Sequence, residues 1–134
     1  MDWTSNPEGW LPRRTVYFQS KAEVMAAAKL NEEMRPRGIA RPIFAELAAV
    51  GGAYIVFSSD DPSKSSHNAR LSAMRAALAD VAGSDQIALD FYGADKIARW
   101  CNQHLGVALW LLEQIGRPLA GWRGYGAWSS PDCP

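Results

Sequence analysis

The residues best suited to chemistry lie near the start of the chain, where Gln19, Ser20 and Lys21 end a run rich in β-branched and aromatic side chains. On an extended strand alternate side chains share a face, so Gln19 and Lys21 point the same way. An Asp carboxylate, a Gln oxygen and a main-chain carbonyl are hard ligands that Mg²⁺ accepts, and a neighbouring lysine can orient or deprotonate a water that attacks phosphorus. The pattern predicts a metal site with Asp2, Gln19 and the Ser20 carbonyl as ligands and Lys21 as the catalytic lysine.

Gln-x-Lys is a short motif that also occurs on solvated strand edges, so how strongly it indicates a functional site depends on the elements around it. The first 21 residues are predicted to form a β-hairpin, because Asn6-Pro7-Glu8-Gly9 concentrates turn-forming residues between two extended arms. The continuous apolar run at 53–57, bounded by Gly-Gly and by a polar loop, predicts a strand buried on both faces. A second buried strand is predicted at 86–91, and helical spacing or composition predicts helices at 22–34, 42–50, 68–81, 94–104 and 107–115.

This order of elements predicts an α/β fold in one domain over 1–134. It consists of a hairpin at 2–21, an α/β core at 22–115 and a Gly- and Trp-rich tail at 116–134. Helices alternating with apolar strands favour parallel pairing in the second half, whereas the opening hairpin is antiparallel. The central sheet is therefore expected to be mixed, to have at least four strands and to be flanked by helices.

A hairpin ending in Gln-x-Lys, followed by helix, apolar strand, helix and a second apolar strand, resembles the Mrr-like branch of the restriction-endonuclease fold. In that branch Gln replaces the usual Glu of an Asp…Glu-x-Lys signature. The resemblance covers residues 2–112 and implies that Asp2 corresponds to the metal-binding Asp, Gln19 to the second ligand and Lys21 to the catalytic lysine. It also implies a Mg²⁺- or Mn²⁺-dependent endonuclease that hydrolyses DNA phosphodiesters, with a role in restriction or anti-phage defence.

The sequence departs from the family at its beginning, because Met1 directly precedes Asp2 where the family has a helix, a first strand and a glycine-rich approach to the Asp. We therefore expect a fragment of a larger multidomain defence protein or a truncated member. The alternative function is a non-catalytic nucleic-acid-binding or protein-interaction module on the same fold. A doubly wound nucleotide-binding domain is disfavoured, since the chain lacks its Gly-rich turn.

Basic residues are concentrated early in the chain, although the formal net charge is zero. Seven of the 14 basic residues lie in the first 41 positions beside five acidic ones, and such a cluster suits a phosphate backbone. An ordinary solvated surface is the competing interpretation. In the tail, Trp122, Arg123, Tyr125 and Trp128 are more consistent with covering the sheet edge than with stacking on bases. The residues assigned to DNA contact are Arg13, Arg14, Lys29, Arg35 and Arg37.

Composition limits the remaining function classes. With 134 residues and 48% hydrophobic content the chain can form a core, and its apolar runs are too short to span a membrane, so a cytoplasmic protein is expected. Cys101 and His104 have no second pair at zinc spacing, and no disulfide framework is predicted. The loop at 58–66, His67 and Asp90 are weaker site candidates, better explained as a solvated loop, a surface histidine and a paired carboxylate. A two-fold homodimer would suit cleavage of both DNA strands.

Overall fold

The computed structural model describes residues 10–117 and 119–121, which belong to two compact units, one ending at Ala94 and the other beginning at Asp95. The described residues form an α/β structure with three strands and five α-helices. The strands are β1 (Val16–Lys21), β2 (Ala53–Ser58) and β3 (Ala88–Tyr92). The helices are α1 (Ala27–Met34), α2 (Ile43–Val50), α3 (Lys64–Ala77), α4 (Ala94–Gln103) and α5 (Leu105–Gln114).

The three described strands form one sheet in the order β1-β2-β3, and both pairings are parallel. The α/β class is therefore confirmed, and so is parallel pairing in the second half of the chain. The sheet of the described residues is not mixed as predicted, and it has three strands instead of four. The antiparallel character was assigned to a first hairpin arm within residues 2–9, which lie outside the described residues.

The ends of the helices are set by capping groups and buried side chains. Helix α3 begins at Lys64, four residues before the predicted start, because the Ser63 hydroxyl accepts a hydrogen bond of 3.3 Å from the Ser66 N–H and caps the helix. Helix α1 begins at Ala27 instead of residue 22, and Met25 is buried in the segment that precedes it. Helix α2 ends at Gly51 in the left-handed conformation, as glycine permits.

The hydrophobic core lies between helices α1, α2 and α3 and one face of the sheet. Its central side chain is Tyr54 on β2, which stacks on Tyr17 of β1 with ring centroids 5.5 Å apart and meets Phe44 of α2 edge-on at 4.9 Å. The run at β2 is buried at Ala53 to Val56, as predicted, whereas the first three residues of β3 are only half-buried. In the described sheet β3 is an edge strand, so it lacks a neighbour on one side.

Aromatic side chains line the opposite face of the sheet. Phe18 stacks on Phe57 at 5.0 Å, Phe57 contacts Tyr92 at 5.3 Å, and Trp10 meets Tyr92 edge-on at 5.8 Å. The Tyr92 hydroxyl donates a 2.7 Å hydrogen bond to the Trp10 carbonyl, while the Thr15 carbonyl accepts from the Ala53 N–H. The segment between these two anchors therefore runs from the carboxyl end of β3 to the amino end of β1.

The second unit contains most of α4 and all of α5. Trp100 on α4 is half-buried and its ring lies 5.0 Å from that of His104, but Trp110 on α5 is 55% exposed. From their helical positions the sequence predicts Trp100 and Trp110 to be core residues, and for Trp110 this was wrong, because no residue of α5 is buried. Among the described helices none is both long and apolar enough to cross a bilayer. Most of the predicted tail at 116–134, including its aromatic residues, lies outside the described residues.

Candidate active site

The Gln-x-Lys motif occupies the last three positions of β1. Gln19 pairs with Val56, and Lys21 pairs with Ser58 at the carboxyl end of β2. Alternation along the strand places Gln19 and Lys21 on the face that carries α1, while Ser20 is on the other face and exposed. Both Gln19 and Lys21 are half-buried. The predicted shared face is thus confirmed for Gln19 and Lys21, and Asp2 lies outside the described residues.

A carboxylate that the motif does not contain lies beside Lys21. Glu33, on the last turn of α1, places its Oε2 2.8 Å from the Nζ of Lys21. Its other oxygen, Oε1, accepts a 2.5 Å hydrogen bond from Nη2 of Arg41. Glu33 is 18% exposed and Lys21 25%, so solvent screens this cluster only in part. Lys21, Glu33 and Arg41 form a half-buried row of alternating charge.

The oxygen donors of this region are suited to a hard cation but carry little free charge. The Gln19 side-chain oxygen and the Ser20 carbonyl are neutral hard ligands of the kind that Mg²⁺ accepts. The Glu33 carboxylate is already bound by two cationic side chains. Across the described ranges no group of three or more His, Cys, Asp or Glu residues could hold a metal ion. A divalent cation here would therefore depend on Asp2 and on the substrate phosphate for negative charge.

The residues assigned to DNA contact differ in how they are held. Arg13, Arg14 and Arg37 are exposed. Lys29 donates a 2.5 Å hydrogen bond to Glu23, and this contact lowers the pKa of the Glu23 carboxyl. Arg35 is bound to both carboxylate oxygens of Asp80 and to the carbonyls of Gly38 and Ala77. Arg35 therefore connects α1 to the end of α3.

The ion pair between Arg35 and Asp80 also shifts the pKa values of both side chains. The hydrogen bond to the guanidinium is the largest cause of the lowered pKa of Asp80, and the same bond raises the pKa of Arg35. Both groups are thereby held in their charged forms. This pair is a structural tie between two helices, and it leaves the Arg35 guanidinium less available to a phosphate than the three exposed arginines.

The loop that follows β2 is organised by a buried arginine. Arg70, on α3, is 4% exposed, donates from Nη2 to the Asp60 carboxylate and lies with its guanidinium carbon 4.6 Å from the centre of the Phe91 ring. Its Nε and Nη1 have no hydrogen-bond partner among the described residues. The Ser58 hydroxyl accepts from the Asp60 N–H and donates to the Glu23 carbonyl. These contacts identify Asp60 as a structural carboxylate.

The two weaker site candidates lie near each other beside this arginine. His67 on α3 and Asp90 on β3 approach to 3.9 Å between Nε2 and Oδ1, which is longer than a hydrogen bond. The same Asp90 oxygen accepts a 2.7 Å hydrogen bond from the Phe91 N–H. Asp90 was expected at the end of the strand, but it lies in the middle of β3, where its carboxylate is bound by a main-chain N–H.

Sequence reasoning did not find Glu33, Arg41 or Arg70 as functional or organising residues of these sites. The signal for Glu33 is that Leu30 and Met34, four residues apart on α1, are both buried, so Glu33 lies at the border of the buried face. Arg70 lies one position before a leucine of the apolar helical pattern and carried no signal of burial. Their contacts with residues on other segments of the chain are what identify these three residues as organising groups.

No protein-family model, curated protein or solved structure matches this chain. The similarity to Mrr-like nucleases therefore stays a prediction that depends on the residues of the chain itself.

Proposed function

We propose that this chain is a metal-dependent endonuclease domain that hydrolyses DNA phosphodiester bonds. The observation that carries the proposal is the placement of Gln19 and Lys21 on one face at the carboxyl end of β1, with the Lys21 ammonium held by Glu33. A neutral oxygen donor can help to hold a divalent cation, and a fixed ammonium can stabilise the charge that develops on a phosphate oxygen. Strands β1, β2 and β3 lie side by side in chain order, and the antiparallel arm that a restriction-endonuclease-like arrangement would add belongs to residues 2–9, outside the described residues.

Each residue has a defined role in this proposal. Gln19, the Ser20 carbonyl and Asp2 would hold Mg²⁺ or Mn²⁺, which supplies positive charge to the phosphate when bound. A water that gives its proton to solvent attacks phosphorus in line with the leaving oxygen. The bond from phosphorus to that oxygen breaks, the leaving oxygen takes a proton from solvent, and the Lys21 ammonium stabilises the negative charge that develops on the phosphate oxygens. Arg13, Arg14 and Arg37 are exposed cations that could contact the DNA backbone outside the cleaved bond.

The biological setting extends the same proposal. A DNA-cleaving domain with this signature would serve in restriction or anti-phage defence in the cytoplasm. Cutting both strands would favour two copies of the domain related by a two-fold axis.

A plasmid-nicking assay tests the proposed function. Supercoiled plasmid is incubated with the purified chain in Mg²⁺, in Mn²⁺ and in EDTA, and the same series is run with Asp2→Asn and Gln19→Ala. We expect nicking only with a divalent cation and its loss in both variants. A wild-type chain that binds DNA in a gel-shift assay and never nicks it would instead identify the non-catalytic nucleic-acid-binding module.

A further inference from the structure

Glu33 contacts the catalytic lysine from a different element of the chain. Its Oε2 lies 2.8 Å from Lys21 Nζ, which is a hydrogen-bonded ion pair between α1 and β1. A long lysine side chain has several rotatable bonds, and fixing its ammonium costs conformational entropy. A carboxylate already in place lowers that cost at the moment of reaction.

Glu33 is itself held by a second cation. Arg41 donates from Nη2 to Glu33 Oε1 at 2.5 Å and from Nε to the Glu33 main-chain carbonyl at 2.7 Å. Two bonds from one guanidinium fix both the side chain and the backbone of Glu33. The carboxylate presented to Lys21 is thus constrained on its far side, and a planar donor of this kind restricts its orientation.

We propose that Glu33 is the positioning residue for Lys21, and that Arg41 in turn fixes Glu33. This inference rests on the proposed nuclease function. In this arrangement Lys21 acts as an ammonium that stabilises charge, and it does not remove the proton from the attacking water. Glu33 is assigned no ligand role and acts through Lys21.

Steady-state cleavage of a short fluorescent DNA duplex in Mg²⁺ tests this role. The variants are Glu33→Gln, which keeps the size and removes the charge, and Glu33→Asp, which keeps the charge and shortens the side chain. Glu32→Gln is the matched control, because it changes an exposed glutamate one residue away on the same helix. Thermal unfolding of each variant verifies that it is folded, and Arg41→Lys serves as a second test if Glu33→Gln does not fold.

We expect Glu33→Gln to lower kcat by about 10- to 100-fold with KM changed by less than about twofold, as for a misplaced catalytic group. Glu33→Asp should recover part of kcat, Arg41→Lys should lower kcat in the same direction, and Glu32→Gln should match the wild type. A Glu33→Gln variant with wild-type kcat, or a loss confined to KM, would overturn the positioning role.

A second measurement does not depend on cleavage. Reductive methylation of the folded chain, read by mass spectrometry, compares Lys21 with the exposed Lys64 in the same molecule. We expect Lys21 to react more slowly than Lys64 in the wild type and several-fold faster after Glu33→Gln. An unchanged Lys21 rate would show that Glu33 does not hold it. A wild-type chain that never cleaves DNA would overturn the proposed function and the catalytic role of Glu33, while the methylation result would still decide whether the ion pair exists.

Discussion

The hydroxyl of Tyr54 is the clearest target for a stability experiment. Tyr54 is fully buried, and its Oη has no hydrogen-bond partner among the described residues. Burying a hydroxyl without a partner costs about 1–3 kcal/mol. Phenylalanine at this position would keep the stacking on Tyr17 and the edge contact with Phe44. We therefore expect Tyr54→Phe to raise the free energy of unfolding by about 1 kcal/mol, or Tm by about 3–4 °C for a chain of this length.

Tyr92 provides a matched control of opposite sign. It is 3% exposed, but its hydroxyl donates a 2.7 Å hydrogen bond to the Trp10 carbonyl. Tyr92→Phe should lower the free energy of unfolding by about 1 kcal/mol because it leaves that carbonyl without its donor. Urea denaturation of both variants and the wild type measures the two changes. A Tyr54→Phe variant as destabilised as Tyr92→Phe would refute the argument, since it would mean that the Tyr54 hydroxyl is satisfied.

The buried Tyr54 hydroxyl also predicts how the stability of the fold changes at alkaline pH. Burial raises the pKa of Tyr54 from 10.0 to about 12, because the phenolate is disfavoured away from water. A group with a raised pKa in the folded state contributes stability below its unfolded pKa and loses it as pH rises through the folded value. Between pH 10.0 and about 12 the wild type should therefore lose stability faster than Tyr54→Phe. Parallel Tm curves for the two proteins over this range would contradict the burial of the hydroxyl.

Three further predictions concern the charges. Arg70→Leu should lower the free energy of unfolding by about 2–4 kcal/mol, because it leaves Asp60 without its partner. Lys29→Leu, on the exposed surface, is the control and should leave the urea midpoint unchanged. Equal urea midpoints for Arg70→Leu and the wild type would show that Arg70 is not a structural residue. The lowered pKa of Asp80 stabilises the fold above its ordinary value of 3.8, and this contribution is lost as pH falls through the folded pKa. The Tm difference between wild type and Asp80→Asn should thus shrink in acid, and a constant difference would argue against the Arg35 pair. Arg13→Ala with Arg14→Ala should reduce the slope of log affinity for DNA against log salt by up to about two, and an unchanged slope would exclude these arginines from phosphate contact.

The sequence was informative where one local property decides the structure. The run at β2 is apolar on both faces, and Ala53 to Val56 are all buried: Tyr54 and Val56 pack into the core, and paired strands cover both edges of β2. Helix α2 could be predicted to end at Gly51 because glycine accepts the left-handed conformation. The shared face of Gln19 and Lys21 followed from strand alternation alone.

One error was local, at the start of α3, and the others arose where a distant part of the chain decides the structure. The Ser63 cap shows that α3 begins within a segment predicted to be loop, since a single side-chain hydrogen bond selects the start. The Glu33 contact depends on how α1 is rotated over the sheet, which Leu30 and Met34 determine by their burial. Arg70 is buried on a helix where an arginine normally indicates a solvated position, and only its contacts with Asp60 and Phe91 account for it.

The most direct test of the central claim is to measure DNA nicking and DNA binding side by side for the wild type and Lys21→Ala in Mg²⁺. The account predicts that the wild type nicks plasmid and that Lys21→Ala does not. The two proteins should bind a short duplex with affinities within a few-fold, because the substitution removes one charge at the reacting phosphate and leaves the exposed arginines in place. Equal nicking by the two proteins would remove Lys21 from the mechanism. The absence of nicking by the wild type in Mg²⁺ and Mn²⁺ would contradict the nuclease assignment itself.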